Sequence, residues 1–440
     1  MNVKSKTGEH FALDQRVNRG GEAEIWSVRR EPHLVAKLYH NPTAEHEAKV
    51  AAMVAGPPPQ DSTHPAVAWP LQPLYQQRRF IGYMMPRIHD SRPIFHFYNP
   101  LRRARLNESY PWRYFLHRTA RNLATAVELV HKRGHVIGDL NESNVLVNRT
   151  ALVTLVDSDS FQIVEAAANQ STGARTFRCT VGKAEFTPPE LQGVDFKSVD
   201  RKADHDNFGL AVLIFYLLME GYHPFAGVLN DGVSVGRVDL YGIKHGLFPH
   251  ARNSTVAPPP GAPIFMWLDP HLQTLFRRCF IEGHTVPHCR PTATEWHDAL
   301  VRPRAQLVPC PTTAKHIYAN HLRRCPHCDR SAVPNLPDIP AHQPILSPSA
   351  TATTTSEAHG GLQVWRGAST GLAGCCKCTV DTSASGYTTG RATRWLSKCS
   401  PLAWDAASGK PVTASAIAHA RRSSPCAMPS RSTPQFGSGG

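Results

Sequence analysis

The order of apolar patterns along the chain limits the fold more than any other feature of this sequence. Strand-like segments cluster near the start, at residues 11–17, 24–28, 34–39 and 80–85. Helix-like segments follow, at residues 114–132 and through most of the chain from residue 191 to about 304. An apolar period near 2 predicts strands and one near 3.6 predicts helices. We therefore predict an α+β fold, with a small β-rich part followed by a larger helical part.

Composition divides the 440 residues into three segments. Residues 10–304 carry these strand and helix patterns, residues 305–330 are rich in Cys and His, and residues 331–440 are mostly Ser, Thr, Ala, Gly and Pro. The last segment has too little apolar surface to offset its ordering entropy, so we predict a disordered tail. Five of the 11 cysteines lie there, and a reading-frame slip near residues 335–360 is a second hypothesis for its origin.

Charge and hydropathy exclude some classes of protein. The formal net charge of +14 permits contact with nucleic acid but does not indicate it, and we do not expect a nucleic-acid partner. The longest apolar run, residues 209–219, is about half the roughly 20 residues of a membrane span, so it predicts a buried helix. No apolar segment follows the N-terminal lysines as in a secretory signal, which favours a cytoplasmic location with reduced thiols.

Three oxygen-bearing side chains give the strongest chemical signal. Asn144 follows Asp139 by five residues, and Asp157 lies at the end of a predicted strand. Such ligands suit Mg²⁺. An Asp on a loop can orient an attacking hydroxyl, while an Asn and a second Asp hold the metal against phosphates. The spacing alone also fits a turn of Asx side chains.

The order of further motifs favours the metal site. Upstream are a glycine turn at Gly20 and Gly21 and a strand lysine, Lys37, in Val-Ala-Lys-Leu. Downstream are Phe-Thr-Pro-Pro-Glu, which ends at Glu190, the segment Asp-His-Asp-Asn-Phe-Gly, which begins at Asp204, and Arg290 in Cys-Arg-Pro-Thr. With these motifs, residues from roughly 10 to 300 resemble the protein-kinase superfamily. The motif sequences resemble a divergent bacterial subgroup of Ser/Thr kinase-like proteins, often described with helix-hairpin-helix or other C-terminal appendages.

The resemblance implies a two-lobed fold, with ATP and Mg²⁺ as cofactors and transfer of a γ-phosphoryl group to a Ser/Thr hydroxyl of an unidentified protein. It assigns roles to individual residues. For the nucleotide, Lys37 with Gly20 and Gly21 would hold the phosphates, and Met85 would lie in the hinge that binds adenine. For the chemistry, Asp139 would be the catalytic base, and Asn144 and Asp157 would bind Mg²⁺. For the fold, Asp204 would begin the helix that anchors the catalytic loop, and Arg290 would pair with Glu190.

One of two glutamates at the start of a predicted helix is the predicted partner of Lys37. Glu47 lies one turn before Ala51 on the apolar stripe of a predicted helix, so we expect it to face inward and orient Lys37. Glu45 is expected to face solvent. The alternative is that both acids are solvated and favoured by the helix dipole.

Several positions depart from the kinase pattern. Ile137 and Gly138 replace the His-Arg before the catalytic Asp, and Ser158 and Asp159 replace the Phe-Gly after the metal-binding Asp. Asn141 stands where many kinases carry a lysine, and Lys183 stands where Ser/Thr kinases carry a threonine. These departures keep open the alternative of a nucleotide-binding pseudokinase that acts as a scaffold. The oligomeric state is not indicated by the sequence.

Residues 305–330 contain a set of metal-ligand side chains. Cys310, His316, Cys325 and Cys328 lie within 19 residues, and the last two cysteines flank Pro-His. Three thiolates and an imidazole suit tetrahedral Zn²⁺ without an open position, so we predict a structural zinc site in a zinc-ribbon-like appendage. His321 or His327 are alternatives to His316, and free cysteines on a flexible linker are the competing interpretation.

Overall fold

The structure is a computed structural model that describes residues 1–59, 64–106, 110, 112–165, 175–229, 238–305, 307–313 and 316–331. These residues form a mixed α+β fold, as the apolar patterns predict. The predicted tail, residues 331–440, lies outside the described residues except for the backbone of Ser331. Its disorder and the reading-frame hypothesis stay predictions.

Six antiparallel strands at the start of the chain close into a barrel in the order β1-β2-β3-β4-β6-β5. They are β1 (Asn2–Ser5), β2 (His10–Arg19), β3 (Ala23–Val28), β4 (Glu31–Tyr39), β5 (Gln72–Gln76) and β6 (Arg79–Pro86). Strands β2, β3, β4 and β6 confirm the strand predictions. Strands β1 and β5 were not predicted, because each is short and has few apolar residues. They pair with each other and close the barrel, which begins ahead of residue 10.

Gly82 allows strand β6 to lie directly against β4 at Lys37. A Cβ atom built on Gly82 would lie 1.9 Å from the carbonyl oxygen of Lys37. Tyr83 is the register partner of Lys37 across these strands. The backbone that carries Lys37 is therefore held by a strand pair that needs a glycine at this position.

Helices dominate after the barrel. They are α1 (Ala44–Ala55), α2 (Phe95–Tyr98), α3 (Pro100–Ala104), α4 (Trp112–Lys132), α5 (Ala203–Leu218), α6 (Val238–His245), α7 (Pro270–Arg277), α8 (Gly283–Thr285), α9 (Ala293–Ala305) and α10 (Pro326–Ser331). Helix α1 begins after Thr43, whose side chain accepts a hydrogen bond from the backbone of His46, and ends at Gly56. Among the described residues, no helix combines the length and apolar content that crossing a bilayer requires.

Helix α5 lies at the centre of the large apolar core. Its side chains from Asp206 to Phe215 are all buried, which confirms the prediction of a buried helix at residues 209–219. Phe215 packs edge-on against Phe276 and Phe280, and Trp296 of α9 packs on Phe276. Burying aromatic side chains contributes more apolar area per residue than any other residue type. This core is the rigid base from which the loop of Asp139 projects.

Small sheets complete the fold and place the polar residues. The three-stranded sheet β7-β8-β9 has the Asp139 loop before β8 and Asp157 after β9. Its strands and those of three two-stranded sheets are β7 (Ser91–Pro93), β8 (Val145–Asn148), β9 (Val153–Leu155), β10 (Ile163–Glu165), β11 (Arg175–Phe177), β12 (Val228–Leu229), β13 (Val256–Ala257), β14 (Leu307–Pro309) and β15 (Ile317–Ala319).

Candidate functional site

Lys37 projects from β4 into a cluster of acids. Its ammonium nitrogen donates to Asp157 Oδ1 at 2.7 Å and to Asp159 Oδ1 at 2.5 Å. The Lys37 side chain is 9% exposed. Burial alone would lower the pKa of Lys37, but the charges of Asp159 and Asp157 raise it above its usual value. Lys37 is therefore a buried cation held by two carboxylates from the segment after β9.

Asp159 is the more deeply buried of these two acids. Its side chain is 7% exposed, against 47% for Asp157. Besides Lys37, the hydroxyl of Tyr39 donates to Asp159 Oδ2 at 2.7 Å and the hydroxyl of Tyr83 donates to Oδ1 at 2.9 Å. Burial would raise the pKa of Asp159, but Lys37 and the two hydroxyls hold it below its usual value. Asp159 is thus a buried, ionised and fully hydrogen-bonded carboxylate.

Asp139 lies on the loop of residues 137–144, which we call the Asp139 loop. Asn141 Nδ2 donates to Asp139 Oδ1 at 2.9 Å, and Asn144 Nδ2 donates to Oδ2 at 3.2 Å. The backbone N–H of Lys183 also donates to Oδ1, at 3.2 Å. Burial, helped by the charge of Asp157, raises the pKa of Asp139 despite these donors. The carboxylate is oriented by three N–H groups in a low-dielectric position.

Asn144 and Asp157 are brought together by the β8–β9 hairpin. The N–H of Val156 donates to the carbonyl oxygen of Asn144 at 2.9 Å. Asp157 has a left-handed backbone (φ 60°), uncommon for a residue with a Cβ atom. The amide nitrogen of Asn144 is engaged with Asp139, so its oxygen is the atom that it can offer a cation. One exposed carboxylate and one amide oxygen fit a Mg²⁺ ion that keeps waters and phosphate oxygens as further ligands.

Ser158 fixes the turn between the two acids. Its side chain is fully buried, and its hydroxyl donates to the carbonyl oxygen of Ala68 at 2.7 Å. The turn leads from the exposed Asp157 into a short helical segment that contains Asp159. Both carboxylates therefore contact Lys37, but Asp157 lies near the surface and Asp159 is buried.

Helix α5, which the sequence predicts to begin at Asp204, holds the Asp139 loop through the side chain of Asp206 and not through that of Asp204 itself. Asp206 is the buried acid, and its carboxylate accepts from the backbone N–H of Ile137 and of Gly138, both at 2.7 Å. His131 Nε2 lies 2.9 Å from the same carboxylate. Asp204, in contrast, contributes its carbonyl oxygen to Arg290. The side chain two residues further along the helix faces the loop, because successive helix positions are separated by about 100°.

Glu190 and Arg290 meet across the helical part. Arg290 Nη1 and Nη2 donate to Glu190 Oε1 and Oε2, each at 2.7 Å. The Arg290 side chain is fully buried, and its Nε donates to the carbonyl oxygen of Gly283 at 2.9 Å. The Arg290 charge and its hydrogen bonds lower the pKa of Glu190, although burial opposes this. A bidentate pair of this kind fixes the segment after Thr187 to the base of α9.

Glu47 differs from its predicted role. Its carboxylate accepts from the hydroxyl of Tyr75 at 2.9 Å. Among the hydrogen bonds of the described residues, those of the Lys37 ammonium go to Asp157 and Asp159 instead. Glu47 is on the half-buried side of α1, as predicted, but that side meets β5 and its Tyr75 hydroxyl. The apolar stripe could not reveal which strand the helix packs against.

The remaining predicted nucleotide-binding residues lie at the edges of the barrel. Gly20 and Gly21 form the exposed turn between β2 and β3, where the Gly20 N–H donates to the Ala23 carbonyl oxygen at 2.9 Å. Met85 is partly buried opposite Val35 and packs in the apolar cluster with Tyr39 and Tyr83. Their roles in binding a nucleotide stay predictions.

The Cys/His segment forms a compact group of ligand atoms. The side-chain ligand atoms of Cys310, His316, Cys325 and Cys328 all lie within 4.8 Å of one another. The sulfurs of Cys310 and Cys328 are 3.5 Å apart, and each of Cys325 and Cys328 approaches His316 Nδ1, at 3.7 and 3.5 Å. Against the effect of burial, backbone N–H groups lower the pKa of Cys310 to about 7. Three sulfurs and one imidazole nitrogen at these separations are compatible with Zn²⁺.

Comparison with known proteins gives two curated relatives. Both are named protein kinase YegI, from Escherichia coli O157:H7 and from E. coli strain K12. The first is 36% identical over 331 residues, which covers 73% of this chain and 49% of the relative, and the second is 36% identical over 337 residues, which covers 74% and 50%. The similarity supports a protein-kinase-like family. No family model matches the chain.

The chain spans about half the length of these protein-kinase relatives. The similarity covers most of this chain but leaves half of each relative unmatched. What the complete relatives act on or assemble with is therefore not transferred to this chain by the similarity.

The sequence predictions gave no role to Asp159 or Arg201, which both contact residues of the candidate site. Asp159 stands where the kinase pattern has a glycine, so the pattern assigns it no role, and its contact with Lys37 spans 122 positions. Arg201 is 3% exposed and donates to the carbonyl oxygens of Gly138 at 2.7 Å and Val181 at 3.0 Å. It joins the Asp139 loop to the segment before Lys183. Nothing in the local sequence around Arg201 indicates this contact.

Proposed function

We propose that this chain is an ATP- and Mg²⁺-dependent protein kinase that transfers the γ-phosphoryl group to a Ser or Thr hydroxyl of a protein. The observation that carries the proposal is the convergence of Lys37, Asp139, Asn144 and Asp157 from separate segments into one polar cluster. The two relatives named protein kinase YegI support the same reaction class. We also propose that the barrel and the helical part correspond to the two lobes of a kinase domain, which would include β1 as well as residues 10–304.

In this mechanism the residues hold and orient the reacting groups. Lys37 would bind the α- and β-phosphates, and the turn at Gly20 and Gly21 would cover them. Asp139, oriented by Asn141 and Asn144, would accept the proton of the acceptor hydroxyl as its oxygen attacks. Asp157 and the Asn144 oxygen would hold Mg²⁺, which supplies neutralisation of the phosphate charge.

The raised pKa of Asp139 favours its use as a general base. A carboxylate with a raised pKa accepts a proton more readily than an exposed Asp, and general-base catalysis is most efficient when the pKa lies near the working pH. Since Asn141 replaces the lysine common in kinases, we expect a lower turnover number, not a loss of nucleotide binding.

We further propose that residues 305–330 bind a structural Zn²⁺ through Cys310, His316, Cys325 and Cys328. The four ligands would fill a tetrahedral shell, so no position would remain for a substrate. In the hairpin β14–β15, Cys310 directly follows the first strand and His316 directly precedes the second. The hairpin packs against Tyr114 of α4, whose hydroxyl donates to the Leu307 carbonyl oxygen at 3.0 Å. The metal would then fasten the segment to the helical part.

Transfer of radiolabelled phosphate from ATP tests the kinase proposal. The full chain would be incubated with MgATP and a general protein acceptor, beside Asp139→Ala and Lys37→Met. We expect labelling by the wild-type chain and a loss of at least about 100-fold in Asp139→Ala. Equal labelling of all three proteins would refute the proposal. Binding of MgATP without transfer would favour the pseudokinase alternative, and acid hydrolysis of labelled protein would identify the acceptor residue.

A further inference from the structure

We propose that Asp159 is the residue that positions the ammonium group of Lys37 for phosphate binding, in place of an acid on helix α1. The inference rests on the proposed nucleotide-binding function of Lys37 and adds a positioning residue to that site. Asp159 would not touch the nucleotide itself. It would act through Lys37.

The first support is the number of donors that meet the Asp159 carboxylate. Lys37 and Tyr83 donate to Oδ1, and Tyr39 donates to Oδ2. Tyr39 and Lys37 come from β4, and Tyr83 comes from the neighbouring β6. A buried charge is stable only when it is paired and hydrogen-bonded, and here both oxygens of the carboxylate are satisfied. The barrel wall therefore holds Asp159 in one place, and Asp159 holds Lys37.

The second support is the difference in exposure between the two acids at Lys37. The side chain of Asp157 is 47% exposed, so a cation can approach it from solvent, whereas that of Asp159 is 7% exposed. One lysine and two carboxylates carry a formal charge of −1. A cation that took over Asp157 would leave Lys37 and Asp159 as a neutral pair. Asp157 is thus accessible to a metal ion, whereas Asp159 remains paired with Lys37.

The third support is the position of the competing acid. The Glu47 carboxylate is engaged by the Tyr75 hydroxyl on β5, as described above. Lys37 already has two carboxylate partners at 2.7 Å or less. The carboxylates that hold Lys37 therefore come from the segment after β9 and not from α1.

Acylation of Lys37 tests the pairing without any nucleotide. Only the neutral amine reacts with acetic anhydride, so the acylation rate of Lys37 reports how firmly its ammonium form is held. Mass spectrometry measures this rate relative to that of the exposed Lys4. In the full chain, Asp159→Asn keeps the shape of the side chain and removes its charge. We expect acylation of Lys37 at pH 8–9 to become about tenfold faster or more, since the ammonium form loses one charge-assisted hydrogen bond and a factor of ten corresponds to about 1.4 kcal/mol.

Matched variants make this result specific. Tyr83→Phe removes one donor from Asp159 and is expected to give a smaller increase, which also covers the case that Asp159→Asn does not fold. Glu45→Gln changes an exposed acid at the start of α1 and is expected to leave the rate unchanged. An unchanged rate in Asp159→Asn, or an equal increase in Glu47→Gln, would overturn the inference.

Calorimetric titration with MgATP then separates this inference from the proposed function. We expect Asp159→Asn to weaken MgATP binding roughly tenfold, equal to about 1.4 kcal/mol, and to add no further loss in a Lys37→Met background. If wild-type protein does not bind MgATP, the proposed function fails, and the acylation result still decides the pairing. If wild-type protein binds MgATP and Asp159→Asn binds it equally well, the positioning role is refuted while the kinase proposal stands.

Discussion

Asp139 is subject to two opposing effects at the level of the single side chain. Burial favours its neutral form, whereas the N–H groups of Asn141, Asn144 and Lys183 favour its charged form. The side chain of Asn141 is 4% exposed, so its hydrogen bond is shielded from water. The balance between the two effects sets the pH at which the Asp139 carboxyl loses its proton.

Replacing Asn141 by Ala is expected to raise the pKa of Asp139 further, because a donor that stabilises the carboxylate is lost. The acidic limb of kcat/KM for phosphoryl transfer should move to higher pH by on the order of one unit, the equivalent of one charge-assisted hydrogen bond. The measurement is a pH profile of peptide phosphorylation between pH 5 and 9. Ser143→Ala, at an exposed position of the same loop, is the control. Superimposable acidic limbs for Asn141→Ala and wild type would contradict the assignment.

Between elements, the pair of Glu190 and Arg290 connects the segment before α5 to the turn before α9. Arg290 has a fully buried side chain and donates to one carboxylate and two carbonyl oxygens. Arg290→Ala would leave these acceptors unpaired. We expect it to lower the free energy of unfolding by about 3–5 kcal/mol, as for other broken buried ion pairs.

Urea unfolding of the purified chain measures this loss. The surface pair Arg178–Asp200 offers a matched control, because its side chains are 44% and 60% exposed. Arg178→Ala is expected to cost less than about 1 kcal/mol. A similar cost for both arginine variants would show that Arg290 contributes no more than a surface ion pair.

The hairpin β14–β15 with α10 has only a small apolar cluster of its own, Leu307, Ile317 and Ala319 against Tyr114. The folding of this Cys/His segment should therefore depend on bound metal. Treatment with a zinc chelator is expected to lower the thermal midpoint and to make residues 307–328 sensitive to protease, while metal analysis of untreated protein should give one Zn²⁺ per chain.

His316→Ala should reproduce the effect of the chelator, whereas His321→Ala should not. His316 contributes a ligand atom to the group, and the ring of His321 lies near the Met266 carbonyl oxygen instead. If the His316→Ala variant retains its metal, another residue and not His316 supplies the fourth ligand.

For the whole molecule, the pair of Lys37 and Asp159 joins the barrel to the segment that follows β9. The folded-state pKa of Asp159 lies below its usual value, so its contribution to stability is fully present above about pH 4 and is lost as the pH falls through that lowered pKa. The pKa of Lys37 is raised, so its contribution persists until the pH rises above the usual lysine value.

The difference in unfolding free energy between wild type and Asp159→Asn should therefore be constant from pH 5 to 9, at about 1.5–3 kcal/mol, and shrink below about pH 4. Urea unfolding at a series of pH values measures this difference. Glu45→Gln, at an exposed acid, should show no such pH dependence. A difference that stays constant down to pH 2.5 would mean that Asp159 stabilises the fold through its shape and not through its charge.

Most of the regular structure could be predicted from local patterns. The period of apolar residues identified β2, β3, β4, β6, α1, α4 and the buried α5, because each is long enough to show its periodicity. Strands β1 and β5 were not predicted, since strands of four or five residues with few apolar positions show no clear apolar period. Closure of the barrel follows from these two strands and was not predicted.

The identity of the polar residues could be read from the sequence, and so could the pairing of Arg290 with Glu190, but not the partner of Lys37 or the acid that holds the Asp139 loop. Residue type and short spacing determined that Asp139, Asn144 and Asp157 would form one candidate site and that four Cys and His ligands would form another, because such spacing keeps the groups within reach. Only the tertiary structure decided that Lys37 pairs with Asp159 and not Glu47, and that Asp206 rather than Asp204 anchors the Asp139 loop. Lys37 and Asp159 are 122 positions apart. Contacts at that separation depend on how whole elements pack, which no local pattern records.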